Sequence, residues 1–375
     1  MNNPSPILAF LFSASCLLMT ACTQAEDTKN TSKSSNAETV ETCLEISLTG
    51  TMGGPATYGG LAGSGTLVKY GSVESNCGDV YLQFDAGRAT TLRLSELGVP
   101  MNKLDAVFIT HLHSDHSVGL VDVFQTRWHF FGKPLDLVCS ADQTVEKPNP
   151  RTMSCANFGE HIADAAFHAG EIAQRSGESK KRKNEGPAAI VNYVPVGSEV
   201  LPTKPEIVWQ SGDVTVKAIA SKHIPGHLSY RVDTPKGSVV IGGDAGNDLA
   251  KPPRPNSTSA AVELLSKGAD VLVHSTMHPV FGPEGGSKFP PHIFYRQSTA
   301  GDLGAMAKRT GVGHLMLTHL IPALGAASHG PFVVPGGPLG EKDYIEAVNV
   351  SEYSGKVYVG RDLMTLRLPI TATSN

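Results

Sequence analysis

The sequence predicts an α/β protein, a four-layered αββα sandwich assembled from two similar halves. Three observations carry that expectation. Strand-like and helix-like segments alternate along most of the chain. The same succession of strands, helix, strand and helix occurs twice. Hydrophobic residues make up 40% of the 375 residues, enough to fill a core between layers.

Taken in order, residues 44–48 alternate apolar and polar side chains and read as a strand. Residues 65–70 and 80–84 read as the next two strands, joined by a turn around Asn76-Cys77-Gly78. Residues 88–97 have helical periodicity and stop at Gly98. Residues 106–110 form a short buried strand that runs into His111. A helix is expected over 117–131 and a strand over 135–138. An irregular insert covers about 143–205, with one helix expected over 158–175. Its charge run, Lys180-Lys181-Arg182-Lys183, reads as a solvated loop, with a substrate-facing basic lip as the alternative. The second half offers strands over 214–220, 228–232, 239–241, 271–273 and 314–318. Helices are expected over 259–267 and 299–309.

The N-terminus reads as a targeting signal over 1–21. Residues 7–19 are an apolar run of signal-peptide length, too short for a comfortable membrane span. The run ends in Leu18-Met19-Thr20-Ala21-Cys22, which resembles a lipobox, so an N-terminal lipid on Cys22 is expected. Ordinary cleavage after Ala21 is the alternative. Residues 22–42 are rich in Ser, Thr, Asn, Lys and Glu and read as a disordered tether reaching roughly 25 Å. Export implies an oxidising compartment. Cys43, Cys77, Cys139 and Cys155 allow three pairings. Cys43–Cys77 and Cys139–Cys155 are favoured because each pair brackets a local unit; four buried thiols are the alternative.

The net charge of −4 provides no basic face of the kind nucleic acid normally requires. Chemistry concentrates instead in His111-Leu112-His113-Ser114-Asp115-His116. Val107-Phe108-Ile109 is apolar, and the polar residues begin where that strand must end. Burying three imidazoles and a carboxylate without partners costs several kcal/mol, whereas at a strand end they can converge on a cation. Zn²⁺ accepts His nitrogen and Asp oxygen alike.

The pattern His111-x-His113-x-Asp115-His116 resembles the signature of metallo-β-lactamase-fold hydrolases, and Phe84-Asp85-Ala86-Gly87 followed by Ile109-Thr110-His111 adds to the likeness. The likeness extends over most of residues 43–320, and the hydrolase domain is expected over 43–370. It implies a metal-dependent ester hydrolase holding two Zn²⁺ or other divalent transition metals. It also implies further ligands at three later strand ends. His223 fits the first, with His227 competing; Asp244 fits the second and His319 the third. One metal would then rest on His111, His113 and His223, the other on Asp115, His116 and His319, with Asp244 shared. Two cations about 3.5–4 Å apart supply hydroxide near neutral pH. Asp115 and Asp244 are the expected catalytic carboxylates, and Asp85 is expected to fix a ligand imidazole. Histidines 129, 161, 168, 278, 292, 314 and 329 fit no metal slot; His278 and His292 are the exceptions expected to overhang the site.

Phe84-Asp85-Ala86-Gly87-Arg88 and Thr110-His111-Leu112-His113-Ser114 resemble the tRNase Z-like branch, and within it the arylsulfatase-type exported enzymes. The ribonucleases of that branch carry a His-Glu-Ala-Thr type loop and a later His-Ser-Thr. Here these read His274-Ser275-Thr276 and Gln297-Ser298-Thr299. A good leaving group needs less general acid, so an aryl sulfate is the favoured substrate. The expected partner is therefore a small-molecule ester, with no nucleic acid, and with membrane contact only through the lipid at Cys22. The alternatives are a phosphodiesterase or ribonuclease Z-like activity, a lactone hydrolase, or a non-catalytic metal-binding lipoprotein.

Overall fold

Apolar runs become strands, and glycines and prolines end them. The computed structural model describes residues 40–145, 151–183, 185–198 and 200–369. The expected signal at 1–21 and the tether as far as residue 39 lie outside the described residues.

The strands of the first half are β1 (Thr42–Gly50), β2 (Gly65–Ser72), β3 (Val80–Phe84), β4 (Ala106–Phe108), β5 (Leu135–Ser140), β6 (Gln143–Val145), β7 (Arg151–Met153) and β8 (Val191–Val196). The second half gives β9 (Glu206–Ser211), β10 (Val214–Ala220), β11 (Leu228–Thr234), β12 (Gly237–Ile241), β13 (Val271–Met277) and β14 (His314–Ile321). β15 (Ser328–His329), β16 (Phe332–Val333), β17 (Lys356–Val359) and β18 (Thr365–Leu368) follow. The helices are α1 (Thr90–Glu96), α2 (Ser114–Ser117), α3 (Leu120–His129), α4 (Cys155–His168), α5 (Glu171–Ser176), α6 (Ala260–Ser266), α7 (Pro291–Phe294), α8 (Ala300–Thr310) and α9 (Glu341–Asn349).

Two seven-stranded sheets result, in the orders β18-β1-β2-β3-β4-β5-β8 and β9-β10-β11-β12-β13-β14-β17. Read in those directions, both sheets show the same pattern. The first three pairings are antiparallel and the last three parallel. β6–β7 and β15–β16 are separate two-stranded hairpins.

One apolar cluster lies between the sheets. Leu44, Ile46, Phe84 and Phe108 meet Val216, Tyr230, Ile241 and Val273 there. Each such side chain stabilises the fold by about 1.5–3 kcal/mol through burial. Tyr230 OH donates to the Ile109 carbonyl at 2.8 Å, which fixes the end of β4 just before the histidine motif. A second cluster packs α1, α3 and α4 on the first sheet through Leu94, Phe124 and Ile162. A third packs α6, α8 and α9 on the second through Leu265, Leu303 and Tyr344. The layers are thus helix, sheet, sheet, helix, as expected.

Several details depart from the sequence reading. The insert is not irregular throughout, since β8 extends the first sheet in parallel register with β5, Leu135 opposite Val191. The helix expected over 158–175 is two helices, α4 and α5. Gly170 separates them at φ +78°, a conformation that side chains with a Cβ rarely adopt. Both favoured disulfides are present: Cys43–Cys77 ties β1 to the turn after β2, and Cys139–Cys155 ties β5 to the start of α4.

Candidate metal centre

The site forms where strands of both sheets end, the usual place for ligands in α/β folds. β3 ends at Phe84, and Asp85 follows in a left-handed conformation with φ +55°. Its carboxylate accepts the Thr110 amide at 2.7 Å and the Thr110 hydroxyl at 2.9–3.0 Å. It also accepts His116 Nδ1–H at 2.8 Å. One buried carboxylate therefore sets both the strand end that carries His111 and the ring of His116. That leaves His116 Nε2 facing inward.

The seven residues expected from the sequence come together in two groups. His113 Nδ1 lies 2.8 Å from His111 Nε2 and 3.4 Å from His223 Nε2. A tetrahedral ion bound at about 2.0–2.1 Å puts neighbouring nitrogens about 3.3 Å apart, so this trio fits one. In the second group Asp115 Oδ2 is 3.0 Å from His319 Nε2 and 3.5 Å from His116 Nε2. Asp244 reaches both groups: Oδ2 lies 3.2 Å from His319 Nε2 and 3.7 Å from His223 Nε2, and Oδ1 lies 3.5 Å from His116 Nε2. His116 Nε2 and Asp244 Oδ1 are buried and have no hydrogen-bond partner. Buried polar atoms are rarely left so, and divalent cations between these donors satisfy them.

Electrostatics divides the groups. Burial pushes the His111 imidazole well below the ordinary histidine range, lowers His113, and takes His223 to about 4. These rings are neutral donors at neutral pH. Burial acts the same way on His116, but Asp244 and Asp85 outweigh it and hold that ring well above the usual value. His319 is raised likewise, by Asp244 and Asp115 against its burial. Burial would raise Asp244, but His319 and His116 keep it well below the carboxylate range.

His227 stands outside both groups. Its Nε2 accepts the Asp244 backbone amide at 3.1 Å, and its Nδ1 lies 2.8 Å from Ser221 Oγ. His223 is the ring beside His113, and its Nδ1 faces the Arg296 carbonyl at 3.5 Å.

Comparison with known proteins bears on this arrangement. The ribonuclease Z of Mycobacterium bovis (strain BCG / Pasteur 1173P2) is 27% identical over 324 residues, covering 85% of this chain and 96% of that protein. The ribonuclease Z of Mycobacterium marinum is 28% identical over 325 residues, covering 85% and 97%. Among solved structures, the metallo-β-lactamase fold protein YhfI of Bacillus subtilis superposes with TM-score 0.54 at 18% identity, over 87% of this chain and all of that one. The short form of human tRNase Z does so with TM-score 0.53 at 17% identity, over 87% and 100%. The chain has the metallo-β-lactamase fold. Residues 73–146 also match the family model of the anti-Pycsar protein Apyc1.

Within that fold the chain is similar to ribonuclease Z and tRNase Z proteins over most of its length. The expected partner, a small-molecule ester with no nucleic acid, is corrected by these relatives, which are ribonucleases by name over 85% of the chain. The physical reason is one of scale. A net charge of −4 describes the whole surface, whereas a phosphodiester is handled by a local cluster of cations. The likeness to arylsulfatase-type enzymes has no support in these similarities.

A cavity of about 570 Å³ opens onto both donor groups. Phe289, Ile293, Arg296, Gln297, His329 and Phe332 help line it. His278 and His292, expected to overhang the site, are not among its lining residues. His278 instead accepts the Val280 amide and packs against the Tyr344 ring. His329, expected to pack or lie at the surface, faces the cavity. Gln297 was visible in the sequence only as a departure; here its Nε2 donates to Asp244 Oδ2 at 3.4 Å. Arg296 and the phenylalanines carried no signal, because they come from loops and a two-residue strand too short to show periodicity.

Proposed function

We propose that the chain is a dinuclear zinc phosphodiesterase of the ribonuclease Z type, with RNA as its substrate class. The observation that supports it most is the pair of donor groups joined by Asp244, in a chain similar to ribonuclease Z along 85% of its length. His111, His113 and His223 would hold one ion; Asp115, His116 and His319 the other; Asp244 would contact both. When bound, the two cations activate water near neutral pH and offset charge on the phosphoryl group. Asp115 would orient the attacking water by accepting a hydrogen bond from it at a carboxylate oxygen. Asp85 keeps His116 in one tautomer. Ser275 and Gln297 cannot supply the proton that a carboxylate and a histidine there would give, so RNA, whose leaving ribose oxygen needs an acid, should be cleaved more slowly than p-nitrophenyl diesters.

The test is a panel of RNA oligonucleotides, bis(p-nitrophenyl) phosphate, p-nitrophenyl sulfate and lactones, with His113→Ala as control. Hydrolysis of the phosphodiesters, lost in the control, supports the reading. Turnover of the sulfate with the phosphodiesters untouched would sink it.

Export with a lipid on Cys22 belongs to the same proposal. The apolar run over 7–19, the Leu18-Met19-Thr20-Ala21-Cys22 motif and two disulfides support it. Labelling cells with a palmitate analogue should mark the protein, and Cys22→Ala should abolish the label. An unlabelled wild-type protein in the soluble fraction would refute lipidation.

A further inference from the structure

Arg296 lines the cavity beside the metal donors. Its Nε is buried without a hydrogen-bond partner. Arg93, Arg231, Arg309 and Arg361 each reach a carboxylate. Among the described residues no carboxylate pairs with Arg296. Its backbone carbonyl lies 3.5 Å from His223 Nδ1, which places Arg296 directly beside the donor set. Arg296 is half-buried, and its unpartnered Nε is the part of the guanidinium that an arriving anion would complete.

Another part of the lining is apolar. Phe289 and Phe332 meet edge to face, with ring centroids 5.1 Å apart and planes at 67°. Ile293 and Ile321 complete it. A flat ring fits such a wall, and unstacked nucleobases bind aromatic side chains in this way.

We propose that this cavity seats one unpaired nucleotide of the substrate, with Arg296 on a non-bridging oxygen of the scissile phosphodiester and the base against Phe289 and Phe332. The inference rests on the phosphodiesterase reading above. It adds a phosphate-binding residue and a base subsite outside the metal donors.

The experiment compares thymidine 5′-(p-nitrophenyl) phosphate with methyl p-nitrophenyl phosphate. Both carry one negative charge and the same leaving group; only one carries a base. The wild type should prefer the thymidine ester. Arg296→Met should lower kcat/KM on both esters by roughly 10²-fold with metal content unchanged. Phe332→Ala should lower it about tenfold on the thymidine ester alone. Activity of Arg296→Met within twofold of wild type overturns the phosphate contact, as does loss of metal from that variant. An equal loss on both esters in Phe332→Ala overturns the base subsite. A metal-loaded wild type inert on both esters is a different failure, because it removes the phosphodiesterase reading itself.

Discussion

His227 Nε2 accepts the backbone N–H of Asp244 at 3.1 Å. The ring is therefore unprotonated at Nε2, and its Nδ1–H points to Ser221 Oγ. His227 holds the peptide that aims the shared carboxylate, while His223 offers its own nitrogen beside His113. The two histidines should thus fail differently when removed. His223→Ala should bind one zinc per chain instead of two. His227→Ala should still reach two at saturating zinc, with affinity lower by about 10- to 100-fold. Equal stoichiometry in the two variants, measured by equilibrium dialysis and atomic emission, would show this division to be wrong.

Asp244 reaches donors of both groups, so its removal should not spare either ion. Asp244→Ala should retain well under one zinc per chain after dialysis. Metal content equal to wild type would end the shared-ligand assignment.

The raised imidazoles of His116 and His319 give the second donor group its own pH dependence. In the metal-free protein these rings hold their protons more tightly than an ordinary histidine, because Asp244 with Asp85, or with Asp115, outweighs their burial. An ion entering there must displace protons; one entering among His111, His113 and His223 meets neutral rings. Lowering the pH from about 8 to about 6 should therefore weaken the site of Asp115, His116 and His319 more than the other. Calorimetry in buffers of different ionisation enthalpy should find proton release with one of the two binding events. Release divided equally between them would contradict the assignment.

Cys139–Cys155 closes a loop of sequence separation 16, and Cys43–Cys77 one of 34. Loop-closure entropy assigns about 3 kcal/mol to the first and about 4 kcal/mol to the second. Cys139→Ser with Cys155→Ser should lower Tm by about 5 °C or more. A Tm within about 1 °C of wild type would show that the bridge contributes little to stability.

Much of the centre was legible because β4, β12 and β14 are apolar until the residues that bear donors. Polar groups that interrupt a buried apolar run need a partner, and Ile109-Thr110-His111 and Leu317-Thr318-His319 make that contrast plain. β8 was missed because Val191–Val196 alternates irregularly between buried and exposed and contains Pro195, as suits an edge strand. β17, α9 and β18 lie beyond the last donor and were left unassigned. The cavity wall was hidden for a different reason. Phe289, Arg296 and Phe332 sit far apart in the chain and meet only in the fold. Substrate class was misjudged because whole-chain charge was used as evidence about a local site.

The matching strand order of the two sheets has a consequence for how the ions act on the chain. β3 and β12 hold the same rank in their sheets, and each is followed by the same tripeptide, Asp85-Ala86-Gly87 and Asp244-Ala245-Gly246. One aspartate braces a ring; the other stands between the donor groups. His111, His113, Asp115 and His116 come from one half, and His223, Asp244 and His319 from the other. Neither half owns a complete trio. An ion held there would then act as a clasp between them, and β18, which leaves the second half to close the first sheet, is the strap. Two fragments divided near residue 203 would meet through the apolar layer between the sheets and through β18, and bound ions would tighten that association.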